Sequence, residues 1–211
     1  MDRSTIISEA LNNAAFVEQE LENFLLYYKL KHTLRWGSTD PVTNERESVA
    51  EHVYGMHILN EYFLHLHEEM NLNPERVIRL INWHDMGEAI TTDMPANTKT
   101  DAHRELELAA ETTIHESAGT HMRSTLESVF AEYNAQETKE SRYVKALDKI
   151  EPMFQMYFIV KNPDTTEKNM GWQADDYRTF RQEYIREFPL LLAFDNVIDS
   201  LIFDSGFFPP Q

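Results

Sequence analysis

An apolar stripe with a period of 3.6 residues is the feature that most limits what this chain can become. From Thr5 to about Lys31, the residues Ile6, Ile7, Ala10, Leu11, Ala14, Val17, Leu21, Phe24, Leu25 and Tyr28 fall on one helical face. The spacing predicts about seven turns of amphipathic helix. A second helix is expected from about Glu47 to Glu68, with Val49, Val53, Met56, Leu59 and Phe63 on its inner side. Asn73-Pro74 opens a third, Asn as cap and Pro at the first helical position, and Val77, Ile78, Leu80 and Ile81 form its stripe. Further helices are expected over 101–118, 121–134, 140–160, 173–187 and 190–204. Gly37–Arg46, with Asp40-Pro41 and Thr43-Asn44, reads as a loop, and so does the stretch holding Asp93 and Pro95. No segment alternates with period two for long, no repeat is evident, and glycine occurs only six times. The expectation is one all-α domain over residues 1–211, built from about seven or eight helices.

Charge and composition remove whole classes of function. With 36 acidic residues against 19 basic, the net charge is −17, which disfavours duplex or single-stranded nucleic acid as a partner. An apolar content of 42% excludes intrinsic disorder. The absence of cysteine excludes disulfides, thiolate zinc sites, iron–sulfur clusters and thiol nucleophiles. The first residues lack the apolar core of a secretory signal, and no stretch approaches the ~18 apolar residues of a membrane span. A cytoplasmic protein with no membrane partner is expected.

Polar residues stand where helices should be apolar. His52 lies three residues after Val49 and four before Met56, so it points inward with them. His84 and Asp85 follow Ile81 by three and four residues, and Asp148 shares a face with Val144, Leu147 and Glu151. Burying a carboxylate costs several kcal/mol unless something compensates it, and a divalent cation does so well. Two imidazoles and two carboxylates suit Mn, Fe, Co, Ni, Zn or Mg. Each part alone has a bland reading: a hydrogen-bonded core histidine, or Asp148 in a salt bridge with Lys145 or Lys149. The order His52, His84-Asp85, Asp148, all on predicted helices, favours a metal set.

These residues resemble the HD-domain phosphohydrolase superfamily, and more closely its 5′-deoxynucleotidases of the YfbR-like group. Three stretches carry the resemblance: Arg35-Trp36 followed by Glu47-Ser48-Val49-Ala50-Glu51-His52; His84-Asp85 with Glu88, Thr91, Asp93 and Pro95; and the ALDKIE run around Asp148. The match covers about residues 30–160, with the helical segments on either side expected to pack on that core. Thr92 departs from it, standing where the family commonly has glycine. The resemblance implies an all-α HD-domain bundle and one divalent metal ion held by His52, His84, Asp85 and Asp148. It implies Glu88 as proton acceptor and donor, Asp93 near the scissile ester oxygen, Arg35 on the phosphate and Trp36 against the deoxyribose. The implied substrate is a nucleoside monophosphate, and the resemblance leaves a homodimer open.

Other readings are a dinuclear phosphodiesterase or oxygenase recruiting His103, His115 and His121, a guanosine-polyphosphate hydrolase, or a non-catalytic HD scaffold. Ala89 stands where the polyphosphate hydrolases place a second acid. Lys99, His103, Arg104 and Glu107 read as a solvated helix start, the alternative being that Lys99 or Arg104 reaches the phosphate, and His57, His65 and His67 read as structural. Tyr177, Phe180, Tyr184 and Phe188 read as a core stripe. Lys29, Lys31, Arg35 and Arg46 against Asp40 and Glu45 make residues 29–46 locally positive, a cationic spot for a nucleotide in an acidic chain.

Overall fold

In a computed structural model the chain is described over residues 2–39, 45–65, 70–161 and 173–208, the side chains of 36–39, 97 and 120 excepted. The elements run α1 (Arg3–Asn12), α2 (Ala14–Tyr28), β1 (Leu34–Thr39), β2 (Arg46–Ser48), α3 (Val49–Leu64), α4 (Pro74–Trp83) and α5 (Glu88–Thr91). They continue through α6 (Asp101–Ser117), α7 (Thr120–Ala135), α8 (Lys139–Lys161), α9 (Ala174–Ile185) and α10 (Pro189–Asp204). The architecture is helical, as the periodicity predicts.

Local chemistry sets most of the boundaries. Ser48 and Glu51 form a reciprocal capping box at the start of α3, and Thr100 with His103 does the same for α6. Asn73 caps α4 through the amide of Arg76, with Pro74 in the first turn. α8 is the central helix, with residues such as Val144, Leu147, Ile150 and Met153 fully buried. Its first half packs with α3, α4 and α10 around Met56, Phe63, Leu80 and Leu147. Its second half packs with α9 and α10 around Met153, Met156, Tyr177 and Ile202.

Three expectations are corrected. The N-terminal stripe is two helices, because Asn13 adopts extended backbone (φ −130°, ψ 97°) and caps α2 through the amide of Phe16. These helices bury none of their residues: Leu11 is 78% exposed and Leu25 60%. The end of α2 packs against the body through Leu26 and Tyr27, and Glu20 lies beside Gly119. Second, the stretch read as a loop contributes an antiparallel ribbon, with Leu34 opposite Ser48 and Thr39 opposite Arg46; residues 40–44 lie outside the described residues. Third, α4 ends at Trp83, and His84-Asp85 occupy the tight turn after it.

Candidate active site

The turn after α4 aligns two of the expected residues. Successive amides bond three residues back, Met86 to Trp83, Glu88 to Asp85, Ala89 to Met86 and Ile90 to Gly87. Such winding has three residues per turn, so side chains at i and i+3 stack on one line. Asp85 and Glu88 therefore face the same pocket. α3 brings His52 to it and α8 brings Asp148, so three separated stretches converge.

One ligand atom from each of His52, His84, Asp85 and Asp148 lies within 4.8 Å of the others. His52 Nε2 is 3.4 Å from Asp148 Oδ1 and 3.9 Å from Asp85 Oδ2, and His84 Nε2 is 3.1 Å from Asp85 Oδ2. Both imidazoles are buried, and neither Nε2 has a hydrogen-bond partner among the described residues. Their other nitrogens are engaged. His52 Nδ1 lies 2.6 Å from Glu151 Oε2, and His84 Nδ1 lies 3.0 Å from the carbonyl of Ile81. A ring nitrogen that donates to a carboxylate or carbonyl leaves the opposite lone pair free for a cation. Buried polar atoms without partners are costly, so this set fits a divalent ion well.

The carboxylates also favour a proton on His52, which competes with a cation for the same position. Burial by itself would lower the His52 pKa, as would Arg35, but Glu151 and Asp148 override both and hold it up at about 10. Burial opposes ionisation of Asp148, yet Lys149, His52 and Lys145 keep its carboxyl well below the usual range. Asp85 is likewise held low by His84 against its burial. The cluster of carboxylates demands positive charge at its centre.

Asp148 forms the salt bridge of one sequence reading and also stands in the cluster of the other. Oδ1 faces His52, while Oδ2 takes the hydroxyl of Tyr133 at 3.1 Å and Lys149 Nζ at 2.9 Å. Glu88 is buried on the pocket wall, with Oε2 unpartnered among the described residues. Its burial, then Asp85 and Asp93, push its carboxyl well above the ordinary value. Asp93 is half-buried and lines the same pocket.

Arg35 also reaches the pocket, from β1. Its Nη1 lies 3.0 Å from Glu47 and 3.3 Å from Glu151. The guanidinium thereby bridges a second group of ligand-type residues, Glu47, His52 and Glu151. Trp36 is on β1 as well; its side chain lies outside the described residues.

The cationic spot is not made as expected. Lys29, Lys31 and Arg46 do not line this pocket; Lys31 instead sits over the Tyr28 ring. Arg35 is joined there by Lys99, Lys145 and Lys149, from distant segments. Lys99 pairs with Glu107 at 2.6 Å, whereas Arg104 pairs with Asp101 on the surface. Burial, then Lys149, lowers the Lys145 pKa to about 8.

Two more readings change. Tyr177 and Phe180 line the pocket as well as packing on the core, whereas Phe188 is fully buried and Tyr184 half-buried against Phe180. His103 caps α6, and neither it nor His115 nor His121 joins a ligand group among the described residues. His57 bonds Asn82 and His65 sits beside Glu61, as structural residues would, and His67 lies outside the described residues. Sequence reading missed Glu151 and Tyr133 as parts of the site. Glu151 shares its helix face with Asp148, which was the available signal.

A family model described as the HD domain matches residues 27–188. The chain is 33% identical to 5′-deoxynucleotidase HDDC2 of Xenopus laevis over 162 residues, 75% of this chain and 76% of that protein. It is 30% identical to 5′-deoxynucleotidase hdd1 of Schizosaccharomyces pombe, over 61% of this chain and 66% of the relative. With human 5′-deoxynucleotidase HDDC2 it shares 31%, over 64% and 65%. The fold is similar to the crystal structure of a "predicted metal-dependent phosphohydrolase" from Magnetospirillum magnetotacticum, with a TM-score of 0.76 at 20% identity. That alignment covers 92% of this chain and 98% of the other.

Proposed function

The chain belongs to the HD-domain family, and on that premise we propose that it is a metal-dependent phosphomonoesterase acting on 2′-deoxyribonucleoside 5′-monophosphates. The products are the deoxynucleoside and phosphate. The observation that carries the reading is the pair of buried, unpartnered Nε2 atoms of His52 and His84 converging on Asp85 and Asp148 beside Glu88. His52, His84, Asp85 and Asp148 would hold one divalent cation (Co, Mn, Mg, Fe, Ni or Zn), which when bound would supply positive charge for the phosphoryl group and lower the pKa of a water.

The chain's own groups do the rest. Glu88 takes a proton from the attacking water; its raised proton affinity suits a group that then returns the proton to the leaving oxygen. The bond between phosphorus and the 5′ oxygen breaks, and that proton completes the sugar hydroxyl, with Asp93 beside the ester oxygen. Arg35, held by Glu47 and Glu151, offers its guanidinium to the phosphoryl oxygens. The sequence resemblance assigns the deoxyribose, and selection against a 2′-hydroxyl, to Trp36 of β1. The reading includes a cytoplasmic setting and one HD domain over the whole chain.

Phosphate release from nucleoside 5′- and 3′-monophosphates, ribo and deoxy, in Mn²⁺ or Co²⁺, tests the proposal. The expected result is turnover confined largely to the deoxy 5′-compounds. Equal rates on AMP and dAMP would remove the role of Trp36, and no release from any compound would favour a non-catalytic scaffold.

A further inference from the structure

Along α8 the pocket lining passes from charged to largely apolar. Lys145, Asp148 and Lys149 occupy its polar stretch; Pro152, Gln155 and Met156 follow on the same lining. At ~1.5 Å rise per residue, Pro152 lies about 6 Å along the helix from Asp148 and Met156 about 12 Å. The α8 lining offers one path for the sugar and leaving-group end of a phosphomonoester at Asp148; Met94, Pro95 and Ala96 line the pocket beside Asp93.

Two rings from α9 face that stretch. Phe180 is half-buried, and Lys149 Nζ lies 5.7 Å from its centroid, joining the aromatic wall to the polar end. Tyr177 is held from behind, its ring 4.9 Å from the buried Arg181 guanidinium, which Asp195 and Asp199 each hold at 2.6 Å. The wall is therefore fixed by packing. Gln155 adds an amide carrying both donors and an acceptor. A flat group with apolar faces and a hydrogen-bonding edge matches this combination.

We propose that Pro152, Gln155 and Met156 of α8, with Tyr177 and Phe180 of α9, form the nucleobase subsite, the base lying on Phe180 with its edge toward Gln155. The inference rests on the nucleotidase reading above and assigns the part of the pocket that the phosphate chemistry does not use. Base-on-ring contact is sequence-tolerant in general, because every base has a π-face.

The test compares kcat/KM for 2′-deoxyadenosine 5′-monophosphate with that for 2-deoxyribose 5-phosphate, which has the same ester and sugar but no base. In the wild type the nucleotide is preferred. In Phe180→Ala that preference falls about tenfold, the order expected for loss of a stacking ring, and the loss appears mainly in KM. Phe180→Leu, which keeps apolar bulk against Tyr184 but has no aromatic face, lowers the preference similarly and serves if the alanine variant does not fold. Calorimetric binding of 2′-deoxyadenosine weakens by the same factor. An unchanged preference, including equal losses on both substrates, would overturn the subsite while leaving the nucleotidase reading intact. A wild type that releases phosphate from neither compound would instead overturn the nucleotidase reading.

Discussion

At Thr92 the backbone takes φ 64° and ψ 161°, a region that glycine enters freely and a β-branched residue enters at a cost of about 1–3 kcal/mol. The resemblance marks this as a glycine position, and the dihedrals supply the reason. Thr92→Gly removes the strain but adds unfolded-chain entropy worth about 1 kcal/mol. A net gain of about 1 kcal/mol is expected in urea unfolding, and a loss would show that Thr92 is unstrained. Gly55 makes the opposite demand. A Cβ there would lie 2.5 Å from Glu151 Oε1, displacing the carboxylate that holds His52 Nδ1. Gly55→Ala is expected to weaken Mn²⁺ binding about 10- to 100-fold in calorimetric titration, the usual cost of losing a group that orients a ligand histidine. Undiminished affinity would contradict that role. His52 and Asp148 were conspicuous in the sequence as polar residues on apolar helical faces, and His84-Asp85 stood out by the same spacing although they occupy the turn after α4. Glu151 was not, since an acidic residue on a helix has many ordinary uses, and Gly55 acquires meaning only from a neighbour 96 positions away.

α9 and α10 are joined by charge as much as by packing. Arg181 is fully buried, pairing with Asp195 and Asp199, and Arg178 reaches Asp199 from the surface. Removing one partner of a buried ionic set strands the others. Arg181→Leu is expected to destabilise the protein by about 3–5 kcal/mol in urea unfolding. Arg178→Ala, at a partly exposed pair, should cost about 1 kcal/mol or less. Equal small losses would mean the buried set contributes little. Helices from α6 onward lay within a residue or two of their expected bounds, 101–118 against Asp101–Ser117 for instance, because helical period and caps are local. The ribbon escaped notice because strand pairing joins distant residues over short stretches. The break at Asn13 escaped because the apolar stripe continues across it.

Across the whole molecule, the net charge of −17 sets the bulk surface, while the pocket gathers Arg35, Lys99, Lys145 and Lys149 around the carboxylates. Local counting along residues 29–46 found Arg35 and missed the three lysines, which only the tertiary fold brings to the site. No helix among the described residues is long and apolar enough to cross a membrane. In the proposed function His52, His84, Asp85 and Asp148 act together on one cation that the phosphatase reaction needs. The most direct measurement is phosphate release from dAMP by protein stripped with chelator and then titrated with Mn²⁺, for wild type and Asp148→Ala. Chelation is expected to abolish release and Mn²⁺ to restore it in the wild type, whereas Asp148→Ala regains less than about 1% of it at the same Mn²⁺ concentration. Full activity after chelation, or full recovery in Asp148→Ala, would contradict this joint role.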